Sequence, residues 1–184
     1  MVKVYYWKTV IPNIGHAAMD LAFGEGPGRA DYVSWWPGSP EGDVGAAKQI
    51  WMLEVGGVPA FVSTYGGDVE MEGCQPHGAV EIRGLDEDRM LKAWKDMKKG
   101  GKYSFYGSNC AQTVVLILGA GGANLSYACF SFATKVRVWA PWDVYVYADM
   151  INQNIGTIKK QIGAGFAMEA PSRGDVLFQT ADPT

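Results

Sequence analysis

Residues 108–118 read Ser-Asn-Cys-Ala-Gln-Thr-Val-Val-Leu-Ile-Leu, a polar pair and a cysteine that lead directly into an apolar segment. The pattern predicts a buried helix or strand that ends at Gly119. If the segment is a helix, Ser108 or Asn109 caps it and Cys110 lies in its first turn. The free backbone N–H groups and the positive end of the helix dipole then favour a thiolate at Cys110. The same N–H groups can stabilise an oxyanion.

The chain has three cysteines and two histidines, so chemistry between the two residue types must use one of 3 × 2 = 6 pairs. Cys129 lies in an apolar stretch that is typical of core packing. Cys74 and His77 share a Gly/Pro-rich loop, so no regular element holds either residue. Cys110 has the helix-start context, and His16 lies in a predicted strand. The sequence therefore favours Cys110 and His16 as the nucleophile and base of a cysteine hydrolase.

A β-hairpin is predicted around His16. Its strands are Gly15–Phe23 and Asp31–Trp36, joined by a Gly/Pro-rich loop at residues 24–28. A third polar group should orient the imidazole, and the second strand offers two. Asp31 is the better charge partner on chemistry alone, while Ser34 is the alternative on the same strand.

The remaining pattern predicts a single α+β domain over residues 1–184. Strands are predicted at residues 2–10, Gln49–Val55, Ala60–Tyr65, Ala79–Arg83 and Val176–Gln179, a loop at 66–78, and helices at Asp86–Lys99 and Pro141–Asn152.

Composition excludes several classes of protein. The net charge of −3 provides no basic excess for a phosphate backbone, which argues against nucleic-acid binding. The first residues lack the apolar run of a signal peptide, and no apolar run is long enough to cross a bilayer. We therefore expect a soluble chain that stays in the cytoplasm of the producing cell unless a dedicated secretion system exports it. An odd number of irregularly spaced cysteines predicts free thiols rather than a disulfide framework.

Three motifs together resemble a known family. Residues 15–21 (Gly-His-Ala-Ala-Met-Asp-Leu), 32–37 (Tyr-Val-Ser-Trp-Trp-Pro) and 106–110 (Tyr-Gly-Ser-Asn-Cys) are similar to the circularly permuted branch of the NlpC/P60 papain-like cysteine hydrolases. In that branch the histidine strand precedes the Asn-Cys helix, an order shared by the lecithin:retinol acyltransferase-like proteins. Residues 32–37 and 139–144 also resemble bacterial members, which include secreted effector and toxin domains.

The resemblance implies a papain-like α+β fold in which a short antiparallel sheet packs on the helix that carries Cys110. It implies that Cys110 is the nucleophile, His16 the general base and Ser34 the residue that orients the imidazole, with Asn109 as a structural neighbour. No cofactor or metal is implied. Aromatic residues near the motifs either line the cleft or, as is more common, pack in the core, namely Trp35, Trp36, Tyr103 and Tyr106.

The implied activity is that of a thiol protease or amidase, which hydrolyses an amide through a thioester. The substrate would be a peptidoglycan stem peptide or a protein amide, and the partners an immunity protein or secretion machinery. An acyltransferase or phospholipase of the same fold, or a non-catalytic interaction module, are the alternatives.

Two other patterns have competing interpretations. Residues 113–124 resemble the strand and Gly-rich turn of a dinucleotide-binding unit. In that interpretation residues 125–133 would form the helix and residues 135–139 the next strand. We favour the alternative, in which the segment is a buried helix capped by glycine. An acidic central region is expected to be a solvated face, and a cation site is the less favoured reading; its members are Asp43, Glu54, Asp68, Glu70 and Glu72.

Overall fold

The strands of the computed structural model form two small antiparallel sheets. The structure describes residues 1–10, 14–21, 31–38 and 57–165. The strands are β1 (Val2–Tyr6), β2 (Ala17–Asp20), β3 (Tyr32–Val33), β4 (Trp36–Pro37), β5 (Val58–Phe61), β6 (Gly78–Ile82) and β7 (Lys102–Tyr103). One sheet has the order β3-β2-β1-β6, and the other has the order β4-β5-β7.

Six helices lie among the described residues. They are α1 (Tyr65–Glu72), α2 (Glu87–Met97), α3 (Cys110–Ala120), α4 (Tyr127–Lys135), α5 (Pro141–Gln153) and α6 (Ile155–Gly163). The Asp86 side chain caps α2 by accepting from the Arg89 N–H at 3.1 Å, and Met90 and Trp94 on its apolar face are fully buried. In the part of the chain that the structure describes, no helix has the length and apolar character needed to span a membrane.

Both faces of the larger sheet are covered. Alternate side chains of a strand point to opposite faces, so Val4 and Met19 lie in the main core whereas Tyr5 and Ala18 lie in a second cluster. Helix α3 packs on β2, and α5 packs on β1 and β6. Val69 of α1 packs against the second cluster. The first face therefore carries the cysteine helix and the second face carries α1.

The elements nearest the site agree with the sequence predictions. Strands β2 and β3 are antiparallel, as the hairpin prediction required, and Met19 pairs with Val33. The apolar segment after Cys110 is a helix that ends near Gly121, which supports the capped-helix interpretation over the dinucleotide-binding one. The predicted helices at 86–99 and 141–152 are both present.

Three predictions of local structure are wrong. Helix α1 replaces the loop predicted from residue 66 and takes in Tyr65 from the end of a predicted strand, because Thr64 caps the segment through the Gly67 N–H and Gly73 ends it at φ 70°. The strand predicted at Asp31–Trp36 is split into β3 and β4. Helix α6 forms where none was expected. Residues 135–139 contain no strand, which the less favoured dinucleotide-binding interpretation would have required. The loop at 24–28, the strands Gln49–Val55 and Val176–Gln179, and residues Asp43 and Glu54 lie outside the described residues.

Candidate active site

His16 stands at the entrance to β2, where the ladder between β1 and β2 continues for one more pair. The Trp7 N–H donates to the His16 carbonyl at 2.8 Å, and the His16 N–H donates to the Trp7 carbonyl at 3.3 Å. Gly15 precedes it with φ 72°, and a Cβ there would lie 2.5 Å from the Trp7 carbonyl oxygen. The backbone therefore requires glycine at this position and holds His16 firmly. The His16 side chain is 1% exposed.

Cys110 is the first residue of α3, and Asn109 is the residue that caps the helix. Asn109 Oδ1 accepts from the Gln112 N–H at 2.7 Å, and its Nδ2 donates to the carbonyls of Phe105 and Trp139 at 2.8 and 3.1 Å. Asn109 thus fixes the start of the helix in three directions. Cys110 lies at the positive end of the helix dipole, as its position in the sequence predicted.

The structure brings Cys110 and His16 close enough together that each shifts the pKa of the other towards its charged form. His16 Nε2 lies 3.1 Å from Asp68 Oδ2 and 3.1 Å from Ser34 Oγ. Because Nε2 meets these two oxygens, Nδ1 is the ring nitrogen left to face the thiol. The Ser34 hydroxyl donates to Asp68 Oδ1 at 2.9 Å, so its oxygen is an acceptor towards His16. Nε2 therefore carries a proton and donates it.

Asp68 is the carboxylate of this site, and it is fully buried. Four donors surround it. Oδ2 accepts from His16 and from the Tyr32 hydroxyl at 2.8 Å, while Oδ1 accepts from Ser34 and from the Trp36 indole N–H at 2.8 Å. A buried carboxylate is stable only when it is paired and hydrogen-bonded, and both conditions are met here.

The charges of the three groups support one another. Burial alone would raise the pKa of Cys110, but the positive His16 ring and hydrogen bonds from His16, the Ala17 backbone and Tyr103 lower it. Burial alone would lower the pKa of His16, yet the Cys110 thiolate and Asp68 raise it to about 10. The pKa of Asp68 is lowered against the effect of burial, chiefly by its hydrogen bond with His16. Each shift favours the charged form of its group: thiolate for Cys110, imidazolium for His16 and carboxylate for Asp68.

Two of the four aromatics near the motifs contact these groups. Tyr103 lies against Cys110: burial and then the charge of Cys110 raise the pKa of the Tyr103 hydroxyl, and donation from the Cys110 backbone N–H acts in the opposite direction. The Trp36 ring stacks on His16 with centroids 4.3 Å apart. Trp35 instead lies in the core against Trp94, and Tyr106 is 53% exposed beside Phe105.

The other candidates for site residues lie elsewhere. The Asp31 carboxylate pairs with Lys98 at 3.5 Å rather than with His16. Cys74 and His77 are exposed, and Cys129 is buried in the main core, as expected. Ser34 does reach the imidazole, but through a hydroxyl whose proton is engaged by Asp68.

Asp68 is the site residue that the sequence did not predict. The alternation of Asp68 with two glutamates suggested a solvated face, and this expectation is wrong for Asp68. The signal that was present is the Thr64-to-Gly73 pair of capping residues, which marks α1 and so places Asp68 on a helix. Among the described residues, no group of three His, Cys, Asp or Glu side chains could hold a metal ion.

The ion pair predicts that Cys110 reacts with iodoacetamide at unusually low pH. A lowered thiol pKa extends the thiolate to lower pH, and a His16 pKa of about 10 keeps the imidazolium throughout the neutral range. An ordinary thiol with a pKa of about 8.5 would be only about one part in 300 thiolate at pH 6. Peptide mapping after a short exposure at pH 6 should find Cys110 modified ahead of the exposed Cys74. Faster modification of Cys74 would contradict the assignment.

One comparison with known families gives a match. Residues 70–167 match the family described as the IcsB middle domain, which is more than half of the chain. The matched segment contains α3 with Cys110 and begins after His16 and Asp68. No curated protein and no solved structure matches the chain significantly. By the extent of the family match, the chain belongs to the IcsB middle domain family.

Proposed function

We propose that the protein is a papain-like cysteine enzyme that cleaves an amide bond through a thioester on Cys110. The observation that carries this proposal is the continuous line from the thiol at the start of α3, through the His16 ring, to the buried carboxylate of Asp68. A nucleophile, a base and a group that orients the base are the three parts of such a catalyst.

In the first step the thiolate attacks the carbonyl carbon of the substrate. A C–S bond forms, and the carbonyl π electrons move to the oxygen. The N–H groups at the start of α3 and the Tyr103 hydroxyl are placed beside the sulfur, where they can donate to that oxyanion. Asn109 already satisfies the Gln112 N–H, and the Cys110 N–H faces the Tyr103 hydroxyl, so the amide of Ala111 is the donor that the helix provides.

Collapse of the intermediate breaks the C–N bond and leaves a thioester. The amine needs a proton to depart, and the His16 imidazolium provides it from the nitrogen that faces Cys110. Water then attacks the thioester while neutral His16 takes its proton. Release of the carboxylic acid restores the thiolate and the imidazolium. An imidazolium in the resting state suits an amide substrate, because the amine that leaves an amide needs a proton more than the alcohol that leaves an ester.

The biological setting is part of the same proposal. Membership of the IcsB middle domain family and the resemblance of the motifs to permuted NlpC/P60 domains both support a bacterial effector. The substrate class follows from the amide chemistry: a peptidoglycan stem peptide or a protein. An effector of this kind requires a secretion route, and a toxin directed at bacteria requires an immunity protein.

A covalent-trapping experiment tests the nucleophile. The Cys74→Ala variant is incubated with p-nitrophenyl acetate, quenched in acid and mapped by mass spectrometry. We expect one acetyl group on Cys110 that hydroxylamine removes, as a thioester requires. The matched control, Cys74→Ala combined with Cys110→Ala, should carry none. An acetyl group on Cys129, or none on Cys110, would contradict the proposal.

Soluble muropeptides and a mixture of denatured proteins then test the substrate class. New amino termini or released stem peptides that depend on Cys110 support amide hydrolysis. Acyl transfer to an added amine, without hydrolysis, would instead favour the acyltransferase alternative. Cleavage that persists after Cys110→Ala would remove the enzyme from this mechanistic class.

A further inference from the structure

The extended segment 32–36 presents three hydrogen-bond donors to one carboxylate. The Tyr32 hydroxyl, the Ser34 hydroxyl and the Trp36 indole N–H lie 2.8, 2.9 and 2.8 Å from the oxygens of Asp68. Alternate residues of an extended chain face the same side, so this spacing aims all three at α1. The intervening Trp35 points the other way, into the main core.

Trp36 differs from the other two donors because it also contacts the catalytic ring. The indole and imidazole centroids are 4.3 Å apart, and the ring planes differ by 22°. Trp36 belongs to β4, which pairs with β5 in the smaller sheet, whereas His16 stands before β2 in the larger sheet. The stacking therefore joins the two sheets at the site.

The two contacts of the His16 ring restrain different motions. The terminal torsion of a histidine side chain is broad and roughly two-fold, so an unrestrained ring tilts and flips. The hydrogen bond from Nε2 to Asp68 resists a 180° flip of the ring about the Cβ–Cγ bond. It resists a small rotation about the same bond, which tilts the ring, only weakly. The Trp36 face lies against the ring and opposes that tilt.

We propose that Trp36 is a positioning residue that holds the His16 ring between an indole face and the Asp68 carboxylate, so that the ring meets Cys110 in one orientation. The electron-rich indole face also stabilises a cation placed on it, here the imidazolium. A residue that touches both the ring and the carboxylate couples the orientation of one to the other. The proposal rests on the ion pair of the proposed function, yet it can be tested without a substrate.

The test measures how the rate of Cys110 alkylation by iodoacetamide depends on pH, in a Cys74→Ala background. Trp36→Leu removes both the stacking face and the N–H. Its midpoint should rise by about one pH unit, with about tenfold slower alkylation at pH values below both midpoints. Trp36→Phe keeps an aromatic face and should shift the midpoint by less than half as much. Trp142→Leu, at a tryptophan that is 54% exposed, is the matched control and should leave the midpoint unchanged.

An unchanged midpoint in a folded Trp36→Leu variant would overturn the proposal. If that variant does not fold, the unmodified protein still decides the matter by NMR: the His16 ring protons should show upfield ring-current shifts from the indole, and normal positions would overturn it. A raised midpoint in a protein without amide cleavage would support the role of Trp36 while the proposed function failed. Amide cleavage by the protein, together with an unchanged alkylation midpoint in Trp36→Leu, would support the proposed function while the role of Trp36 failed.

Discussion

Replacing Asp68 with asparagine is expected to lower the turnover of an amide substrate by about 10⁴-fold, the loss seen when the orienting aspartate of another catalytic triad is changed in this way. The reason lies in the number of bonds the carboxylate accepts. Each of its oxygens receives two donors: Ser34 and Trp36 on Oδ1, and Tyr32 and His16 on Oδ2. An asparagine amide has only one acceptor oxygen. In either orientation its NH₂ group must face two donors.

The consequence for His16 depends on which way the amide turns. If its NH₂ group faces His16, Nε2 must become an acceptor and the ring proton moves to Nδ1, so neutral His16 cannot take a proton from Cys110 or from water. If the oxygen faces His16, the negative charge that stabilises the imidazolium is still lost. Both outcomes weaken the ion pair, and the unmatched donors also lower the free energy of unfolding by about 1–3 kcal/mol each.

Ser34→Ala is the matched control for this prediction. It removes one donor to Asp68 and one acceptor from His16, while the carboxylate and its other three donors remain. Its kcat should fall by about 10- to 100-fold, because hydrogen bonds to charged groups are worth about 1.5–3 kcal/mol while the carboxylate that orients His16 remains. Measurement of kcat for both variants separates the two residues. Equal losses would assign the orienting role to Ser34 and contradict our assignment of Asp68.

The parts of the site that local sequence determines were predictable. Ser-Asn-Cys before an apolar run predicts a thiol at the start of a helix, and Asn109 caps α3 as one of the two named candidates. The strand predicted at Gly15–Phe23 is present as β2, and His16 stands immediately before it. With only six pairs of cysteine and histidine to consider, these two local signals are enough to select Cys110 and His16.

The part that tertiary contacts determine was not predictable in the same way. Asp68 lies in a short helix with two glycines near its start, and Asp68 is the residue of that helix that is buried. Its donors Tyr32, Ser34 and Trp36 come from a segment more than 30 residues earlier. In sequence, a buried carboxylate with distant partners looks the same as a solvated one. The two-residue strands β3 and β4 were also missed as separate elements, since each belongs to a different sheet.

His16→Gln is expected to slow the alkylation of Cys110 at pH 6 by about 300-fold or more. The variant removes the charge that lowers the pKa of Cys110, and the burial that remains raises that pKa. A thiol at its ordinary pKa of about 8.5 retains about one part in 300 as thiolate at pH 6, and burial reduces that fraction further. The sign is thus fixed: the midpoint of the alkylation profile moves to higher pH.

The size of this effect distinguishes an ion pair from a helix-dipole effect alone. The dipole of α3 and the Tyr103 hydrogen bond remain in His16→Gln, so they set the reactivity that is left. His77→Gln is the matched control, since the ring of this exposed histidine accepts from the Lys8 N–H at 3.2 Å, and the substitution should leave the profile unchanged. If His16→Gln kept rapid alkylation at pH 6, the start of the helix would stabilise the thiolate without His16. The proposed roles of Asp68 and Trp36, which act through the His16 ring, would then be wrong. A loss near 300-fold instead requires His16 to be charged beside Cys110, which is the condition under which the carboxylate and the indole can act on the sulfur at all.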